Sequence, residues 1–320
     1  MRRSLKLIFA VLIAVGILFA TYGLLFAFDI NWLADDEGRL LLIAETAILL
    51  FMSEALSLGL RCSGFDFSLG AVAVLSPTLA LCLPIGKSST ALVLLSLFFG
   101  CLLGLISGGV QVLTALPSAF CSLVICLIYE GISQIQWSVA GVQGASIPTA
   151  SVALYIVSIF LLLCGRAVIL NKTAFGYNLR AISKNPEICR YAGVNFKISA
   201  LISHIVSGGV MGCAGAMLCM RQGELILSGL NFSSVRILFF GLLPLFAGRL
   251  FSRISGDGRG AVLGAVCSAV VYSVLSELGA VEDEIILICG GMLLILLIYI
   301  SNEKKIFRRI RIRNIPKEKN

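Results

Sequence analysis

The chain has 320 residues, of which 58% are hydrophobic and only 13% charged, with 25 Lys and Arg set against 17 Asp and Glu. At a mean hydropathy of +1.01, a soluble domain of this length could not hide so much apolar surface in one core. The composition therefore excludes a water-solvated globular fold and points to a chain whose solvent is largely lipid.

A membrane-spanning helix needs about 20 apolar residues, because the hydrocarbon layer is about 30 Å thick and each helical residue rises about 1.5 Å. The first apolar block, near 7–28, follows Arg2, Arg3 and Lys6. It is longer than a secretory signal core and no small-residue cleavage site follows it, so it is expected to be a retained span. Further blocks follow near 40–60, 67–84, 90–110, 117–136, 151–169, 198–220, 234–250, 260–278 and 285–301. The expected fold is all-α, a polytopic helix bundle of about ten transmembrane helices. It forms a single transmembrane domain over 1–303, followed by a basic tail over 304–320 that reads as a solvated segment near anionic lipid.

Cytoplasmic loops carry an excess of Lys and Arg. With the N-terminus inside, the cytoplasmic segments collect Arg2, Arg3 and Lys6, then Arg61, then the cluster from Arg166 to Lys197, then Arg249, Arg253 and Arg259, and finally the tail. Only Arg39, Lys87, Arg221 and Arg236 remain outside. Both termini are thus expected in the cytoplasm, with the protein in the cell's cytoplasmic membrane.

The 11 cysteines are scattered singly with no CxxC pair, and they read as small buried hydrophobes rather than disulfides or ligands. Gly86-Lys87-Ser88 imitates the end of a nucleotide-binding loop, but Leu81 stands where that loop needs its first glycine. No ATP site is expected in this chain, and no metal or other cofactor either: His204 is the one histidine, and a lone histidine cannot make a metal site.

Five ionisable residues lie inside apolar blocks: Glu45, Glu54, Glu130, His204 and Arg236. Each is costly in lipid and should face the bundle interior or an interface. Glu45 and Arg236 are expected near the outer surface, where snorkelling accounts for them. Glu54 and Glu130 lie deeper and either pair internally or line a pathway, and His204 reads as a packing histidine. Small residues mark packing seams at Gly208, Gly209, Gly212, Ala214 and Gly215, and again at Gly260, Gly264 and Ala265.

The longest polar loop between spans, about 171–197, reads NKTAFGYNLRAISKNPEICRYAGVN over 171–195. Asn185 suits a helix N-cap, Pro186 the first turn and Glu187 the helix dipole, so a short helix is expected to run to about Ala192 and stop at Gly193. A Gly-Tyr lead-in, the Asn-Pro-Glu start and Arg190-Tyr191-Ala192-Gly193-Val194-Asn195 together resemble ribose-type, simple-sugar permeases of ATP-binding-cassette importers, relatives of branched-chain amino acid permeases. A second match is Gly64-Phe65-Asp66-Phe67-Ser68-Leu69-Gly70, which is similar to that family's Gly-Gly-Ile-Asp-Leu-Ser-Val-Gly motif, with Ser63 for the first glycine. One departure is Ala247-Gly248-Arg249-Leu250-Phe251, where the family has a glycine-rich stretch.

The resemblance implies that the loop is a coupling helix, carried by Asn185, Pro186, Glu187, Arg190 and Gly193, that docks on a cytoplasmic ATPase. It also implies an extracytoplasmic solute-binding protein, a second permease copy or relative, and a small neutral solute such as a sugar. The chain would then be a transporter subunit in lipid, with no nucleic-acid partner and no covalent chemistry of its own. Asp66 and Ser68 can cap a helix that starts inside the membrane, with Gly70 allowing close contact; the alternative for Asp66 is a direct role along the transport path. The competing class is an ion-coupled secondary transporter using Glu54, Asp66 or Glu130.

Overall fold

The computed structural model describes residues 36–62, 64–114, 116–139, 147–224 and 233–277. The blocks near 7–28 and 285–301 and the tail over 304–320 lie outside the described residues. Within the described residues all regular structure is helical. In chain order the elements are α1 (Asp36–Cys62), α2 (Ser68–Leu81), a 3-10 turn (Pro84–Lys87), α3 (Ser89–Thr114), α4 (Ser118–Val139) and α5 (Val152–Lys172). They continue with α6 (Ala174–Lys184), α7 (Pro186–Tyr191), α8 (Phe196–Gln222), α9 (Ser233–Ser255) and α10 (Asp257–Glu277). Every apolar block from 40–60 to 260–278 is a helix, and α1, α3, α4, α5, α8 and α9 are long and apolar enough to cross a membrane.

The centre of the bundle is α2. It is apolar on all sides, as a helix enclosed by protein should be, and every residue from Ser68 to Thr78 is buried. Helices α3, α4, α8 and α9 surround it, while α1 packs against α8, α9 and α10. Helix α5 is equally apolar but faces outward, with Ile156, Val157, Phe160 and Leu161 exposed. In water such a face would be a liability, whereas in a bilayer it is the lipid contact.

Glycines set a close helix crossing, α3 on α8. A Cβ on Gly100 would strike the backbone of Gly208, and one on Gly104 the carbonyl of His204. Gly212 lies equally tight against Ser96, and Gly215 against Ala73 of α2. The expected seam on α8 is therefore present. Its partner row, Ser96, Gly100 and Gly104 at a spacing of four, lies on α3. Gly260 and Gly264 likewise press on Ser252 and Gly248, joining α9 to α10.

Helix α6 has no counterpart in the sequence reading, which leaves this stretch as a lead-in. It is amphipathic, burying Leu179 and Ile182 in a satellite core with Leu58, Leu170 and Ala200, and Thr173 caps it by accepting from Gly176 N at 3.2 Å. Gly86-Lys87 closes the 3-10 turn, with the Gly86 amide bonded to Leu83 O at 2.9 Å; that donor is thereby spent on the chain itself. The cysteines of the described residues are all free, most of them buried.

Candidate functional site

The fold gathers most of the expected polar residues into two places: a buried cluster around the start of α2, and the end of the bundle that carries the basic residues.

In the cluster, Asp66 is the organising group. Its Oδ1 accepts from Ser68 N at 2.9 Å and Ser68 Oγ at 2.6 Å, and its Oδ2 faces His204 Nδ1 at 2.9 Å. Both the Asp66 and His204 side chains are only 2% exposed. A carboxylate at the opening turn complements the helix dipole, and Asp66, one residue ahead of the N-cap position Phe67, takes up one amide of that turn, Ser68 N. His204 Nε2 is buried and has no hydrogen-bond partner among the described residues.

A parallel arrangement lies beside it. Glu130 on α4, fully buried, accepts from Ser234 N at 2.9 Å and also from Ser234 Oγ, which places a carboxylate at the start of α9. Cys126 Sγ lies 3.3 Å from the same hydroxyl. Gly70 joins the two helix starts, because a Cβ there would meet the carbonyl of Ser234. Thus Asp66, Ser68, Gly70 and Glu130 come together through α2 and α9. The two carboxylates thereby take up helix-start donors that lipid could not satisfy.

Glu54 is elsewhere. It lies on α1 toward the basic end, ion-paired with Arg166 of α5, the two side chains 6% and 10% exposed, and Ser57 Oγ is 3.4 Å from its Oε2. Arg61 and Asp257 approach to 4.0 Å nearby. Glu45 departs from the expected solvated position: it is buried and paired with Arg221 of α8, because the facing helix supplies a cation where lipid would not. Neither Arg166 nor Arg221 is recognisable as a partner from local sequence.

The basic-end loop folds as its residue types predict. Asn185 Oδ1 accepts from Glu187 N at 3.1 Å and Ile188 N at 3.2 Å, and α7 runs from Pro186 through Arg190 to Tyr191. Gly193 has φ +77°, a left-handed conformation that glycine adopts without strain. Cys189 is tucked into the satellite core, while Ile188 is 64% and Tyr191 94% exposed. Replacing Asn185 with alanine is expected to cost about 1 kcal/mol locally. The amides of Glu187 and Ile188 should then exchange with solvent about fivefold faster; unchanged exchange would show that the cap does not order this helix.

Residues 38–299 match the family model described as branched-chain amino acid transport system / permease component. The fructose import permease protein of Rhizobium meliloti is 24% identical over 257 residues, 74% of this chain and 69% of that protein. A protein of Methanocaldococcus jannaschii, named as a probable branched-chain amino acid transport permease, is 31% identical over 127 residues, 38% of this chain and 37% of that one. The galactose/methyl galactoside import permease protein of Escherichia coli K12 is 28% identical over 110 residues, 34% and 30% of the respective chains. The matched segment thus spans about a third of the latter two relatives' length. No solved structure matches significantly. With a matching family model over most of its length and a bundle that is all-helical over the described residues and built to sit in lipid, the chain is a multi-pass membrane transporter subunit rather than an enzyme, and it belongs to the branched-chain amino acid transport system / permease component family.

Proposed function

We propose that this permease component is the membrane-spanning half of an ATP-binding-cassette importer, carrying a small neutral solute, by preference a sugar, into the cell. The observation that carries the proposal is α7, a capped helix at the basic end that presents two large side chains, Ile188 and Tyr191, to solvent. Exposed apolar and aromatic anchors on a rigid, short element are what a protein interface covers. The excess of basic residues at this end supports its placement in the cytoplasm, where an ATPase subunit could seat on it. ATPase closure would push on α7, and through Cys189 and α6 on the ends of α1 and α8. The glycine-lined seams of α8 are where such a push can slide one helix past another. The import names of the fructose and galactoside relatives favour a sugar, and a pathway in which the buried carboxylates already have partners suits an uncharged solute. A binding protein outside and a second permease subunit complete the proposed assembly.

The test is uptake into proteoliposomes holding the permease with its ATPase. Ile188→Asp with Tyr191→Ala should leave the bundle inserted, reduce ATP-dependent uptake about tenfold or more, and abolish transport-linked stimulation of hydrolysis. Wild-type uptake by that variant would overturn the docking role. Uptake driven by an ion gradient with no ATPase present would instead establish the ion-coupled class.

A further inference from the structure

A cleft between α5 and α10, floored by α6, has a composition that the transport reading does not use. Four arginines from four different helices line it: Arg61 of α1, Arg166 of α5, Arg180 of α6 and Arg259 of α10. Among the described residues the acidic one on its wall is Asp257, which faces Arg61, and Arg166 is held by Glu54. Arg180 stacks over Tyr177, 4.8 Å from the ring centre, and donates to Asn171 Oδ1 at 3.2 Å. Among the described residues neither Arg180 nor Arg259 has a carboxylate partner, so the described part of the cleft's mouth carries net positive charge. The deeper wall is apolar, with Leu163 and Leu170 from α5 facing Leu263 from α10. It continues onto the outer face of α5, where Phe160, Leu161 and Val168 are exposed.

We infer that this cleft binds the headgroup of an anionic phospholipid, its phosphate at Arg180 and Arg259 and its acyl chains along α5. Charge alone would admit any anion, because guanidinium forks suit every phosphate. The adjoining apolar wall selects a lipid: a free phosphate would gain nothing from Leu163 and Leu263, whereas a phospholipid already resident beside α5 buries its chains there. Basic pockets between spanning helices on the basic side of a membrane protein have this chemistry. Arg61 and Arg166 touch both the cleft and the Glu54 pair, so an occupying lipid would brace the ends of α1, α5 and α10 together.

Native mass spectrometry of the full chain, released from detergent after equilibration with phosphatidylglycerol or phosphatidylcholine, tests the inference. Wild type should retain phosphatidylglycerol preferentially. Arg180→Gln with Arg259→Gln should lose that preference about tenfold while phosphatidylcholine retention stays unchanged, which also reports that the bundle is intact. If the double variant does not purify, Arg259→Gln alone, in the exposed first turn of α10, should weaken the preference about threefold. Equal retention of phosphatidylglycerol by wild type and variants would overturn the site. Displacement of the lipid by excess inorganic phosphate would overturn its assignment to a phospholipid, and so would displacement by the partner ATPase, which would make the arginines a protein contact.

Discussion

Arg166→Met is expected to destabilise the bundle by about 3 kcal/mol, because it strips the cation from a carboxylate that is almost wholly buried. Glu54 is 6% exposed and its principal partner is Arg166; Ser57 offers one weak hydrogen bond at 3.4 Å, and Arg61 stands beyond. Glu54→Gln should also be costly, since it leaves the guanidinium of Arg166 beside Arg61 with one fewer counter-charge. The two changes together should be milder than their sum, because a neutral pair of similar volume removes both the attraction and the desolvation penalty. Unfolding midpoints in detergent for the four proteins give the interaction directly. A coupling of about 2 kcal/mol is expected; strictly additive changes would show that the two charges do not depend on one another.

Gly104→Leu should do comparable damage by a different route. The side chain would have to occupy the position of the His204 carbonyl, and a main-chain atom inside a helix cannot move aside as a flexible side chain can. Helices α3 and α8 must separate along the crossing, losing the close contact on which association in lipid depends, at about 3 kcal/mol or more. Gly109, five residues further along α3, has open space at its Cβ. Gly109→Ala should therefore stay within about 1 kcal/mol of wild type. Thermal unfolding of the two variants separates steric contact from any general intolerance of α3 to lost glycine, and similar behaviour in both would refute the crossing as the cause.

The helices of the bundle were legible because lipid imposes length and apolarity on each of them locally. The cap at Asn185 was legible for the same reason, since its donors lie two and three residues away. Helix α6 is not legible in the sequence because it is short and amphipathic, and only the fold shows that Leu179 and Ile182 share a buried face. Partner choice was the larger gap. Asp66 meets His204 across 138 positions, and Glu54 meets Arg166 across 112; no periodicity links residues that far apart. The row Ser96, Gly100, Gly104 was written at helical spacing and could have been read as the mate of the α8 seam, but it is embedded among Leu and Phe that dominate the apolar signal.

The enclosure of α2 bears on how the protein is made. At 14 residues it is about 21 Å long, short of the roughly 30 Å hydrocarbon thickness, and it opens on an ionisable residue. Such a segment is a poor candidate for release from the insertion machinery by itself. It is expected to settle only once α3 and α8 are in place to wall it in, with His204 available to receive Asp66. Biogenesis of the chain is therefore expected to include a late event, in which an early-synthesised piece waits for α8, whose His204 lies 138 positions beyond Asp66.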